Sequence, residues 1–171
     1  MILLSSKCTT VLLLLFSMLF FHSCSSTNQL TDETHESMSE PLTLAKGNYA
    51  PYQPAGEEPL YQLVITSQEA YDEFRLKFEE GGFGESLPEV DFDRHMVVGV
   101  WMGESNSSGF DTEIVGFDTT DSEFNIWVRN KYPDPSCAYL TVITTPFHIV
   151  ALPKTELPIT FMSNRVMDSC D

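Results

Sequence analysis

Hydrophobic and polar positions change rhythm several times along this chain. Residues 11–21 form an almost unbroken apolar run, with Lys7 as the only charge before it. A basic start followed by an apolar stretch of that length is the pattern of a secretory signal, and it is short for a membrane span. From Ser25 to about Pro59 the apolar residues thin out among Thr, Ser, Asp, Glu and four prolines, Pro41, Pro51, Pro54 and Pro59. Too little apolar surface is present to offset the entropy of ordering, so residues 24–56 are expected to be a flexible acidic tether.

Regular periods begin at Leu60. Residues 61–65 read as a short strand. Thr66 with Glu69 three positions later makes a capping-box pattern, and behind it Ala70, Phe74 and Phe78 recur every four residues with Tyr71 beside them. That spacing predicts a helix with one core-facing stripe, stopped at Gly81-Gly82. Residues 96–102 show no polar alternation, as expected of a strand covered on both faces. Phe110, Thr112 and Ile114 alternate with charged or outward positions, and so do Phe124, Ile126 and Val128 after a polar turn at 118–122, which predicts a β-hairpin. Pro133 and Pro135 interrupt the sheet. A further strand is expected at 139–144, continued or restarted at 147–152 after Pro146, and a last short one at 158–162. The fold class is therefore α+β: a mostly antiparallel sheet of about six strands with one N-terminal helix packed on it, spanning 57–171.

Composition narrows the partners. The 171 residues hold 25 acidic and 9 basic side chains, a net charge of −16, which argues against a nucleic-acid or anionic-membrane surface. With 42% hydrophobic residues the chain is not wholly disordered, and four cysteines are too few for a disulfide-framework miniprotein. Cys24, in Ser23-Cys24-Ser25-Ser26 at the end of the apolar run, resembles a bacterial lipobox. On that reading residues 1–23 are a lipoprotein signal peptide and Cys24 carries the lipid. The protein is then anchored in the cell envelope, at the outer membrane of a Gram-negative bacterium. The alternative is a secreted protein in which Cys24 is incidental. Cys137 and Cys170 are an even pair in an exported domain, where a disulfide is expected. It would close a loop of roughly 30 residues, worth about 3 kcal/mol in the loop-entropy treatment.

Motifs for chemistry are missing from the sequence. It has no His-x-x-x-His or Cys-x-x-Cys spacing, no Gly-x-Ser-x-Gly, no Walker loop and no dinucleotide fingerprint. Asp91, Asp93 and His95 alternate onto one side if the segment is extended, which leaves a metal site or, more simply, a solvated edge. The expectation is a protein that is not an enzyme, with no catalytic residues, no metal and no cofactor.

One arrangement is more specific. Pro88-Glu89-Val90-Asp91-Phe92 leads into Met96-Val97-Val98-Gly99-Val100-Trp101-Met102-Gly103, then Ser107-Ser108-Gly109-Phe110, and much later Thr145-Pro146-Phe147-His148-Ile149-Val150-Ala151-Leu152-Pro153-Lys154. Order and spacing resemble the C-terminal domain of the PrcB family of protease-complex-associated lipoproteins. Ser-Ser-Gly-Phe stands where that family has a Thr-Gly-Gly-Tyr-like turn, and Phe147 replaces its usual Tyr. The resemblance implies a surface lipoprotein that associates with, and helps stabilise, an exported protease. Asn106, Ser107, Ser108, Gly109 and Phe110 also resemble one loop of chagasin-type protease inhibitors, so direct inhibition is the alternative function. Physically, a glycine beside an aromatic at a sheet end gives a tight turn that presents a ring for burial in a protein partner. The opposed reading is that Phe110 packs inward at the start of its strand.

Overall fold

The computed structural model describes residues 38–54, 60–81 and 86–170. The expected signal peptide, Cys24 and the first part of the tether lie outside the described residues. The elements are β1 (Leu42–Gly47), β2 (Tyr61–Ile65), α1 (Gln68–Gly81), β3 (His95–Trp101), β4 (Asp111–Thr119), β5 (Phe124–Tyr132), β6 (Phe147–Pro153) and β7 (Ile159–Met167). They form two sheets, where the sequence suggested one. A four-stranded sheet has the order β1-β6-β3-β2 with every pair antiparallel, and a three-stranded sheet has the order β4-β5-β7. The β4–β5 hairpin is antiparallel as expected, and β5–β7 is parallel.

The central pair β3 and β6 explains why residues 96–102 lack polar alternation. Val97 and Trp101 of β3, with Phe147 and Ile149 of β6, pack against Tyr71, Phe74 and Phe78 of α1. On the opposite face Met96, Val98, Val100, Val150 and Leu152 meet Ile114, Ile126 and Val128 of the second sheet. The order is helix, sheet, sheet, so β3 and β6 are buried on both sides. Each fully buried aliphatic or aromatic side chain here contributes about 1.5–3 kcal/mol of transfer free energy.

Several expectations change. The helix is mid-chain, between β2 and β3, and not N-terminal to the sheet. Its cap is Ser67, whose Oγ accepts the Ala70 N–H at 3.3 Å, and not Thr66; Glu69 then falls one position short of completing a capping box. Tyr71 takes the buried stripe position, while Ala70 is exposed. Seven strands are present among the described residues, because residues 42–47, expected in the tether, form β1 on the free edge of β6. Residues 139–143, expected as a strand, are irregular; only Thr144 and Thr145 make isolated bridges, to Ser105 and Tyr49. β7 runs on to Met167, well beyond the short strand anticipated.

Candidate functional site

β3 ends where Gly103, at φ 76°, turns the chain out of the sheet, a conformation open to glycine and strained for other residues. The loop that follows carries Asn106, Ser107, Ser108, Gly109 and Phe110, and it is fastened to residues 140–145 along most of its length. Ser105 and Thr144 exchange both backbone hydrogen bonds at 2.8 Å. Ser108 N–H donates to the Leu140 carbonyl at 3.1 Å, and Leu140 N–H donates back to Ser108 Oγ at 3.1 Å. The buried Thr144 hydroxyl donates to the Ser107 carbonyl at 2.9 Å, and Ser107 Oγ accepts the Gly109 N–H at 3.3 Å. Both serines of the turn are thus spent on holding it.

Gly109 is buried under the ring of Tyr139 and against Pro133. A Cβ added there would lie 2.6 Å from Tyr139 Cε1 and 2.7 Å from Pro133 Cβ, distances that real side chains do not adopt. Phe110 is half-buried and meets Tyr132 edge-on with ring centroids 5.7 Å apart. The ring thus rests on Tyr132 beside the start of β4, part of it open to solvent. Of the five expected contact residues only Asn106 is exposed.

The apolar surface at this end comes from residues outside the expected contact loop. Leu140 is 73% exposed, Ile143 61% and Tyr49 59%. Leu140 and Ile143 lie in the segment bonded to the loop, and Tyr49 bridges Thr145 of the same segment. For Leu140 and Ile143 the signal was visible but misread, since an apolar β-branched run suggests a strand with a buried face.

The same end is tied to the C-terminus. Cys137 and Cys170 form a disulfide with Cα atoms 5.3 Å apart, 33 residues apart in sequence. Tyr139 Oη accepts the Asp134 N–H and donates to Asp168 Oδ2, both at 3.1 Å, and Lys131 Nζ lies 3.1 Å from Asp168 Oδ1. The hydrogen bond from Lys131 holds the Asp168 carboxyl below the usual carboxylate range.

Two other candidates take different positions from those expected. Asp91, Asp93 and His95 do not line one side of an extended segment, because residues 92–94 form a turn. Asp91 caps it, its Oδ1 accepting the Asp93 N–H at 3.0 Å and its carbonyl accepting the His95 N–H at 2.9 Å. Among the described residues no group of three or more His, Cys, Asp or Glu side chains gathers as a metal ion would require. His148, noted in the sequence only as lying inside a strand, is 2% exposed and joins three strands. Its Nδ1 accepts the Ile114 N–H of β4 at 2.9 Å, and its Nε2 lies 2.9 Å from Thr43 Oγ1 of β1. Burial, assisted by the nearby Lys46 charge, pushes its pKa down to about 4.

The fold defines a two-sheet β module backed by one helix, with its loops gathered and cross-linked at one end. Residues 96–153 of that module, from β3 through β6, match the family model described as PrcB C-terminal. The match includes the loop at 105–110 and the segment that holds it. No curated protein and no solved structure matches the chain.

Proposed function

We propose that this is a non-enzymatic, lipid-anchored binding protein of the cell envelope whose PrcB C-terminal domain holds a protein partner, an exported protease, through its loop end. The supporting observation is the set of exposed apolar side chains, Leu140, Ile143 and Tyr49, carried on segments that are hydrogen-bonded to one another. Apolar side chains displayed on an already ordered platform bind with less ordering entropy than the same side chains on a free loop. A chain of net charge −16 adds long-range attraction for a partner with a basic rim, which raises the association rate. The match of residues 96–153 to the PrcB C-terminal family model supports the class of partner. The anchor follows from the lipobox-like Cys24; Cys24→Ser is expected to abolish lipid labelling and release the protein from membranes. Among the described residues no helix is long and apolar enough to cross a membrane.

The test is a Leu140→Asp, Ile143→Asp double variant used as bait in detergent extracts beside the parent protein. Recovery of one exported protein should fall at least about 10-fold, the equivalent of 1.4 kcal/mol, with thermal unfolding unchanged. Equal recovery by both baits contradicts this contact. Titration of papain-like proteases with the pure domain separates the inhibitor alternative, which requires loss of their activity.

A further inference from the structure

The N-terminal strand β1 is held in place by one imidazole whose hydrogen-bond roles are fixed by its neighbours. A backbone N–H can only donate, so Nδ1 of His148 must carry a lone pair towards Ile114, and the ring proton must sit on Nε2, donating to Thr43 Oγ1. A β-bulge between Thr43 and Ala45 aims that hydroxyl at the ring, and Lys46 lies directly across from His148 in the ladder. One neutral tautomer therefore ties β1, β4 and β6 together, across both sheets.

We propose that His148 is an acid-release latch for β1: adding a proton at Nδ1 sets two donors against each other, and the strand detaches from the edge of β6. The protonated ring could keep its bond to Thr43 but would lose the one to Ile114 and would face the Ile114 N–H at hydrogen-bonding distance. The charged groups around it act in both senses. Lys46 of β1 opposes the proton, while Asp111 and Glu113 of β4 favour it. Glu40, before β1, and Arg129 of β5 line the same cleft of about 330 Å³. Lys46 bridges Asp111 at 3.4 Å and Glu113 at 3.0 Å, and Glu113 also pairs with Arg129, so much of this carboxylate charge is already answered. Burial raises the affinity of Glu113 for a proton, but Lys46 and then Arg129 outweigh it and hold its carboxyl below the usual range.

The sign follows from linkage. A histidine free in solution titrates near 6.5, and His148 in its closed setting near 4, so the open form binds the proton first. The latch is fully effective above pH 6.5 and weakens as the pH falls from there through about 4. Over pH 7 to 4 the opening equilibrium should grow by roughly 100-fold.

Amide hydrogen exchange on the full chain, corrected for intrinsic rates, tests this. The amides of β1 and of Ile114 should lose protection by roughly 100-fold across pH 7 to 4, while β3 amides stay protected. Protection of β1 that stays flat, or that falls only together with β3, overturns the latch. In His148→Gln, where β3 remains protected, β1 exchange should lose its pH dependence; an undiminished dependence assigns the effect to the carboxylates and also overturns it. Where that variant does not fold, nitrogen-15 titration of His148 in the parent protein decides. The growth of β1 opening with acid should level off where the ring titrates, and growth that continues well below that midpoint is contradictory.

Discussion

Gly109 shows how one residue fixes the geometry of the loop end. Its missing side chain lets Tyr139 and Pro133 close over the turn, and the Tyr139 hydroxyl then reaches Asp168. Gly109→Ala forces that lid to move. It is expected to cost about 1–3 kcal/mol as an overpacking change and to weaken partner recovery along with stability, which chemical denaturation and the bait experiment together would register. Tyr71 is a second fixed point. Its buried hydroxyl donates to the Pro88 carbonyl at 2.7 Å, and burial pushes its pKa up to about 12. Tyr71→Phe should lose about 1–3 kcal/mol, because the carbonyl it leaves behind is part-buried; an unchanged denaturation midpoint would mean that water replaces the hydroxyl.

At the scale of elements, the helix and the central strands follow from periodicity alone. Tyr71, Phe74 and Phe78 fall on one helical face, and β3 and β6 need cover on both sides, which one helix and a second sheet supply. Ser67→Ala removes the only side-chain cap seen at the start of α1 among the described residues and should cost about 1 kcal/mol, read as a lower melting temperature. Other elements were not legible for physical reasons. β1 lies in a polar, proline-rich flank, and what holds it is the vacant edge of β6 together with His148, a distant residue that no local pattern announces. β7 continues through Ser163, Asn164 and Arg165 because parallel pairing with β5 satisfies its backbone, although its side chains there are exposed. Residues 139–143 misled in the other direction. Their apolar, β-branched composition reads as a strand, yet Leu140 and Ile143 point to solvent. A conflict between local pattern and final environment is what a surface built for contact would produce.

For the whole molecule, the disulfide and the loop end form one unit. Cys137–Cys170 joins the segment after β5 to the tail after β7, beside Tyr139 and Asp168. Replacing both cysteines with serine should lower stability by about 3 kcal/mol and the melting temperature by roughly 10 °C, with the exposed end loosened first. The resemblance that the sequence carried was sound over residues 96–153, since its motifs fall in β3, the loop and β6, which the fold brings together. Within it, Ser107 and Ser108 bond to the loop and its neighbour, and Phe110 rests half-buried on Tyr132, contacts that no local pattern announces.

The most direct test of the account places a photo-activatable cross-linking residue at position 140 in cells, with position 76 as the control. Leu76 is 61% exposed on α1, comparable in chemistry to Leu140 but away from the loop end. The account predicts a cross-link to a single exported protein from position 140 and none from position 76. Cross-linking from position 76 alone, or equally from both, would contradict it.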